Sequence, residues 1–384
     1  MKKIKNLNDM LISTKELIIF KKNFIKSVKE KDKRTFLSFY RKNNDHFYNE
    51  QSHWFDNFHT DHLGEVYRIE SINIKRQHIK SVFKIEITVL STNKFNETRS
   101  NKILYRIDKD QKGIFISGLD IDKHVILNGL PSIQFNENLK KIAPLLIECV
   151  QKSILLIQHV FKISLKIEDL NIVLFESVQE LSCSVPTDRA YGWYEYQESI
   201  KISIPEFVKS SDIKTYLMRI IVHEMTHFVL SKESNDNLSL LLQEGTALYL
   251  ESLIEIEDNC DLIQVEKSLN ILNEFETTIK SFQKSHELSL GSDVEIYHQG
   301  YLWVNFLISV YGIEKFLVFI KSFGKLPFIN LRMINKSTIL NEIVCKEFQK
   351  NYGINVFDTF KIRDYYDKGR QSSIDKQNFY SSSI

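Results

Sequence analysis

Apolar residues near the amino terminus recur at helical spacing. Between residues 7 and 60 they stand three and four positions apart, as Phe20 and Phe24 do. From residue 65 to residue 119 the period shortens to two, because apolar and polar side chains alternate along stretches such as 83–89. The chain is therefore predicted to begin with helices and to continue as an antiparallel meander.

Helices followed by a curled antiparallel sheet resemble the NTF2-like or cystatin-like module, over roughly the first 125 residues. Residues 128–132 combine the chain breakers glycine and proline with small polar residues, which predicts a linker. We therefore expect two domains, an α+β module at 1–130 and a second domain at 131–384 with a polar tail from about residue 367.

The second domain is predicted to be mainly helical with a small sheet. Helical periodicity covers residues 139–163, 212–232, 238–256, 262–288, 294–311, 314–323 and 337–351, and short apolar runs at 171–175 and 199–204 predict strands. The whole chain is thus predicted to have an α+β fold.

The most informative segment reads HEMTH and lies on a predicted helix. His223 and His227 stand four residues apart, so both imidazoles project from one face and can reach a single ion. Glu224 is displaced by one position and can reach a water molecule on the metal without becoming a ligand. Two histidines hydrogen-bonded within a core helix are the alternative explanation for an isolated motif.

The next predicted helix reads LLQEGTALYLE and can return a carboxylate, that of Glu244, to the same ion. Two histidines and one glutamate leave a fourth position open, which is the arrangement of catalytic zinc sites. Gly245 allows helices to approach closely, although a tolerated helix defect would look the same in the sequence.

HEMTH followed by LLQEGTALYLE resembles the gluzincin peptidases of the MA clan, whose second helix carries E-G-x-A, matched here by Glu244, Gly245 and Ala247. The resemblance covers about residues 140–365 and implies a zincin-like domain. It further implies one Zn²⁺ ion held by His223, His227 and Glu244, with Glu224 as general base in peptide hydrolysis.

A later segment, YHQGYLWVNFLISVYG, resembles the helix that carries an oxyanion-stabilising tyrosine in related aminopeptidase-like enzymes. The match assigns this role to Tyr297, and Tyr301, one helical turn on, is the other candidate. For either residue, a tyrosine that simply packs on the flank of the helix is an equal alternative. Glu251 can orient a ligand histidine by a hydrogen bond without binding the metal itself, or it can be a surface glutamate.

The G-x-M-E-N sequence that recognises a free amino terminus in this family is missing. In its place Ala190, Tyr191 and Gly192 can belong to an edge strand, ending near Tyr194, that binds an extended peptide through its main chain. An ordinary aromatic hairpin explains the same residues. The class of peptide that is cleaved therefore stays open.

Composition excludes some partners. Lys+Arg 51 and Asp+Glu 49 give a formal charge of +2 with interleaved signs, so no nucleic-acid partner is expected. Neither a signal peptide nor a transmembrane segment is expected, which favours a cytoplasmic location. The four cysteines are widely spaced and are predicted to be reduced structural thiols. Histidines and acids between His53 and His62 are expected to lie on a solvated helix face.

These patterns predict a zinc metallopeptidase that acts on a peptide or protein substrate. The alternative is a catalytically silent zinc-binding protein that retains the peptidase fold and recognises a partner. Endo- or exopeptidase specificity, the role of the amino-terminal module and the oligomeric state are not predicted by these motifs.

Overall fold

The structure is a computed structural model. It describes residues 12–42, 45–59, 66–76, 83–93, 95–121, 123–125, 130–165, 167, 170–187, 190–257, 293–329 and 333–353. Within them the predicted α+β fold is confirmed. The chain divides into two compact units, one formed by Met1–Val150 and Lys166–Ile220, the other by Gln151–Leu165 and Ile221–Ile384.

The domain boundary after residue 130 remains a prediction. The predicted helix at 262–288 and the polar tail from residue 367 lie outside the described residues.

Three helices and a four-stranded antiparallel sheet open the first unit. The helices are α1 (Thr14–Lys29), α2 (Lys33–Ser38) and α3 (Asp45–Phe58), and the strands are β1 (Val66–Arg76), β2 (Phe83–Thr92), β3 (Thr98–Asp110) and β4 (Gly113–Leu119), in the order β1-β2-β3-β4. Helix α1 begins at a capping box, in which Ser13 and Glu16 satisfy each other's backbone N–H groups. The alternating pattern of β2 buries Ile85 and Ile87 beneath the helices.

Aromatic side chains fill the space between these helices and the sheet. Phe36 stacks on Trp54 at a centroid distance of 5.7 Å, and Phe47 lies 6.0 Å from Tyr105 of β3. The Trp54 indole N–H donates to the carbonyl of Cys183 over 3.0 Å, and Cys183 belongs to the same core. Residues beyond position 130 therefore complete the core of the amino-terminal module.

A second, mixed sheet follows. Its strands are β5 (Lys123–Val125), β6 (Ser132–Phe135), β7 (Asn171–Phe175), β8 (Gly192–Trp193) and β9 (Ile200–Ser203), in the order β5-β6-β7-β9-β8, with helices α4 (Ala143–Phe161) and α5 (Val178–Ser184) and a 3-10 turn (Glu137–Leu139) between them. Strands β6, β7 and β9 are parallel, and the two outer strands are antiparallel to them. The strands predicted at 171–175 and 199–204 are confirmed. Strand β6 was not predicted, and it begins at Ser132, inside the expected linker.

Five more helices are described after β9. They are α6 (Ile213–Ser234), α7 (Leu240–Glu257), α8 (Asp293–Tyr311), α9 (Ile313–Phe323) and α10 (Met333–Tyr352). All five were predicted within a few residues of these bounds. Helix α6 is buried on several sides, since Leu217, Ile221, Val222 and Met225 are fully inaccessible. A helix enclosed in this way holds its polar side chains in fixed positions.

Among the described helices, α4 is long enough and apolar enough to cross a membrane by length and composition alone. One helix of this length and composition is only a weak indication of a membrane span, because a helix in the core of a folded domain can have the same length and composition. Leu146, Cys149 and Val150 are fully buried within the fold. The expectation of no transmembrane segment therefore stays a prediction.

The cysteines in the described part of the chain carry free thiols, as expected. Cys149 and Cys183 are buried and Cys345 is partly buried. Burial raises the pKa of the Cys183 thiol, which keeps it protonated and unreactive. Cys260 lies outside the described residues.

Candidate metal site

His223 and His227 lie one turn apart on α6, as their spacing predicts. Their rings are 4.8 Å apart, centroid to centroid, and cross at 76°. His227 is buried and His223 is largely so, with 12% of its side chain exposed. Both imidazoles are thus held by the packing of the helix instead of being free to rotate in solvent.

Glu244 of α7 faces both rings. Its Oε2 lies 3.1 Å from Nε2 of His223, and its Oε1 lies 3.6 Å from Nε2 of His227. Two ligands that bind one zinc ion at about 2.0–2.1 Å in tetrahedral geometry stand roughly 3.3 Å apart. The measured separations lie on either side of that value, so these three side chains can hold one metal ion between them.

Glu251, two turns beyond Glu244, accepts a hydrogen bond from His223. Its Oε1 is 2.6 Å from Nδ1. A proton on Nδ1 leaves a lone pair on Nε2, which faces the Glu244 carboxylate. Two electron-rich atoms 3.1 Å apart require a cation between them, either a proton or a metal ion. The pairing therefore fits a ligand histidine that is oriented by a carboxylate.

Electrostatics around the three ligands favour a bound cation. Burial opposes a charge on His223, but the carboxylates of Glu244 and Glu251 outweigh it and raise the His223 pKa. Burial also opposes ionisation of Glu244, yet the two histidines lower its pKa. Among the described residues Nδ1 of His227 has no hydrogen-bond partner. The site combines a buried carboxylate with two imidazoles, the donor set that divalent zinc prefers.

Glu224 is buried beside the ligand histidines without contributing a ligand atom to the group. Burial raises its pKa, although the charges of His223 and His227 act in the opposite direction. A carboxylate whose pKa is raised is a stronger base than an exposed one. This environment suits a residue that accepts a proton.

Gly245 and Gly300 form the contact between α7 and α8. A Cβ atom on Gly245 would lie 2.1 Å from the carbonyl carbon of Gly300, and one on Gly300 would lie 2.3 Å from the carbonyl oxygen of Leu241. Only glycine fits at either position. The close approach that was predicted between the two ligand-bearing helices is instead made between α7 and α8, and the partner of Gly245 is Gly300, the glycine of the YHQG sequence.

The loop between α6 and α7 is fixed by Asn237, whose side chain is fully buried. Its Nδ2 atom lies 3.2–3.4 Å from the carbonyl oxygens of Phe323, Leu326 and Pro327, and its Oδ1 accepts from the N–H of Ile329. This residue ties the connection between the two ligand-bearing helices to the end of α9. Nothing in the polar loop sequence distinguished it from its neighbours.

Tyr297 lies on α8 near the ligands. Its ring centroid is 6.2 Å from that of His223, and the two planes are tilted by 33°. Tyr297 and Tyr301 are both partly exposed. Tyr297 thus stands beside the metal ligands, while its assignment as oxyanion donor remains a prediction.

Ala190, Tyr191 and Gly192 lie in the first unit, whereas the metal ligands lie in the second. Gly192 begins β8, the edge strand of the mixed sheet, and pairs with Ile202 of β9. The Tyr191 carbonyl accepts from the N–H of Ser203 over 2.9 Å. A substrate-binding role for these residues stays a prediction.

A second group of candidate ligands involves His53, Glu195 and Glu198. His53 Nδ1 is 2.7 Å from Glu198 Oε1, and Lys201 Nζ contacts Oε2 of the same carboxylate at 2.5 Å. These are hydrogen-bond distances, and the lysine already supplies the positive charge, so the group is an ion-pair cluster. The expectation of a solvated helix face holds only in part for His53, because 32% of its side chain is exposed while its Nδ1 contacts the buried Glu198. Asp61 and His62 lie outside the described residues.

No protein-family model matches the chain, and no curated protein is significantly similar to it.

Proposed function

We propose that this protein is a zinc-dependent metallopeptidase of the gluzincin type, with an amino-terminal NTF2-like or cystatin-like module. The observation that carries the proposal is the convergence of His223, His227 and Glu244, with Glu224 buried beside them. Three protein ligands leave one coordination position for water or substrate, which distinguishes a catalytic from a structural zinc site. The HEMTH and LLQEGTALYLE motifs supply the residues of this arrangement.

Zinc at this position would supply a Lewis acid for the scissile carbonyl and would acidify water toward a pKa of about 7. Glu224 accepts the proton of the attacking water and then transfers it to the leaving amine. Glu251 keeps the His223 ring in place through Nδ1. Tyr297 donates its phenolic O–H to the oxyanion, and the edge at Ala190 to Gly192 binds the peptide main chain.

The test is the substitution Glu224→Gln in the full chain. We expect zinc to remain bound at one equivalent, while hydrolysis of a peptide library falls by a factor on the order of 10² to 10⁴, because the general base is lost. The matched control is Glu233→Gln on the same helix, since Glu233 contacts Lys321 at 3.5 Å and takes no part in the metal group.

Zinc content measured by plasma emission and peptide cleavage measured by mass spectrometry decide the result. Undiminished turnover in Glu224→Gln would refute the role of this glutamate. One equivalent of zinc without cleavage of any library peptide by the unaltered chain would refute the peptidase proposal and favour a silent zinc-binding protein.

A further inference from the structure

A second site lies within the first unit. A cavity of about 310 Å³ is lined by α3, by β3 and β4 of the antiparallel sheet, and by β6 and β7 of the mixed sheet. Its volume is at the small end of the range, roughly 300–1,000 Å³, of pockets that bind small molecules. Both sheets contribute lining residues, and all of these residues belong to the same compact unit.

One wall of the cavity carries a buried carboxylate with unused acceptor capacity. The side chain of Glu50 is only 6% exposed. Its Oε1 accepts from the N–H of Ser199 over 3.0 Å and lies 3.5 Å from Lys201 Nζ. No residue in the described part of the chain donates to Oε2, which leaves this oxygen for a group inside the cavity. A buried carboxylate oxygen of this kind favours an ammonium donor.

The other walls present donors that engage the described residues weakly or not at all. Arg106 comes no closer than 3.7 Å to Asp120, and its side chain is 44% exposed. The side-chain amides of Gln134 and Asn171, on neighbouring parallel strands, make no hydrogen bond to any described residue. A guanidinium with free terminal N–H groups binds a carboxylate in a bidentate manner. The cavity lining therefore carries the guanidinium of Arg106 together with two carboxylates, Glu50 and Asp108.

Apolar side chains complete the lining. Phe47 and Val173 are buried, and Leu119 and Ile121 are partly so. We infer that this cavity binds a small zwitterion of amino-acid type with an apolar side chain. Its ammonium group would face Glu50, its carboxylate would face Arg106, and its side chain would contact the apolar wall. This site is independent of the metal ligands, which belong to the other unit.

The inference is tested by titrating the full chain with three probes in a calorimeter. L-leucine carries both charges, 3-methylbutylamine lacks the carboxylate, and 4-methylpentanoate lacks the ammonium group. We expect L-leucine to bind at least about tenfold more tightly than either single-charge analogue, because each lost ion pair removes a charge-assisted contact.

Variants assign the binding to this cavity. Arg106→Gln is expected to weaken L-leucine binding at least about tenfold, because it removes the carboxylate partner. The matched control is Arg68→Gln, an exposed position on β1, at the far edge of the same sheet from β4. Gln134→Leu provides a second lining variant that leaves the Glu50 and Lys201 pair intact. Absence of binding by L-leucine, equal binding of the amine alone, or full affinity in Arg106→Gln would each overturn the inference.

Discussion

At the scale of single residues, the candidate metal site depends on how each ligand is held in its orientation. His223 contacts two carboxylates at once, Glu251 through Nδ1 and Glu244 through Nε2. Because the Glu251 contact holds the ring through Nδ1, Nε2 of His223 faces Glu244, and an incoming metal ion would take the place of the proton between them. Preorganisation of this kind strengthens metal binding without adding a ligand.

Replacing Glu251 by Gln should therefore weaken zinc binding by about 10- to 100-fold, the usual effect of losing a carboxylate that supports a ligand histidine. Competition with a fluorescent chelator measures the affinity, and Glu233→Gln serves again as the control. An unchanged zinc dissociation constant in Glu251→Gln would show that the contact with His223 does not assist the ligand.

The sequence predicts these residues through the HEMTH spacing and the resemblance of the next helix to the gluzincin E-G-x-A sequence. The spacing of His223 and His227 on one helix fixes their common face, and Glu244 requires only a returning helix. Lys201 illustrates the opposite case. It stands between Ile200 and Ile202 in a short strand, and its burial between Glu50 and Glu198 depends on a helix far away in the chain. Such long-range pairing leaves no local pattern.

At the scale of secondary-structure elements, the crossing of α7 and α8 positions the ligand helix. Gly245 follows Glu244 directly, so the backbone that carries the ligand is in contact with Gly300 of α8. The same crossing places Tyr297, three residues before Gly300, near the histidines. Both the third ligand and the candidate oxyanion donor thus depend on one close helix contact.

Gly300→Ala should separate the two helices, because the new methyl group would lie 2.3 Å from the Leu241 carbonyl oxygen. We expect a loss of about 1–3 kcal/mol in the free energy of unfolding and weaker zinc binding. Urea denaturation and chelator competition measure the two effects. Gly118→Ala is the control, since its added Cβ would meet no atom within 4 Å. Equal stability of the two variants would contradict the close contact.

Long helices such as α6 and α7 were predictable because several turns of apolar periodicity define each of them. Strands β5 and β6 were not, since each is only three or four residues long and neither forms a run of apolar residues like the one that marks Asn171–Phe175. Their identity as strands comes from pairing, β6 with Asn171–Phe175 in parallel and β5 with β6 in antiparallel register. Tertiary contacts therefore override a weak local signal.

At the scale of the whole molecule, buried charges join the amino-terminal helices to the mixed sheet. Glu50 and His53 of α3 meet Lys201 and Glu198 around β9, and both Lys201 and Glu198 are almost fully inaccessible. Burial opposes the charge on Glu198, but Lys201 and His53 lower its pKa to about 2. Removing one member would leave its partner as a buried charge without a compensating charge nearby.

This cluster makes stability depend on pH. Burial lowers the pKa of His53, but Glu195 and Glu198 outweigh it and raise the pKa from 6.5 to about 9. A raised pKa means that the folded state binds the proton more tightly, so the contribution is complete below about pH 6.5 and is lost as pH approaches 9. His53→Gln should therefore lower the melting temperature most at pH 6 and least above pH 9.

Thermal melts between pH 6 and 10 measure this difference between the unaltered chain and His53→Gln. The control is His159→Gln, an exposed position on α4. A gap in melting temperature that stays constant across the range would contradict a charged His53 in the folded protein.

The first compact unit is discontinuous in the chain, because it combines Met1–Val150 with Lys166–Ile220. Trp54 contacts Cys183, and Glu50 contacts Ser199 and Lys201. During synthesis the amino-terminal helices therefore emerge from the ribosome well before the residues that complete their core and their ion pairs. A fragment that ends near residue 130 would expose the surface that these partners cover. A gene fusion that cut between the two segments would therefore separate Trp54 from Cys183 and Glu50 from Lys201, and we expect neither half to keep the core and the ion pairs that the segments form together.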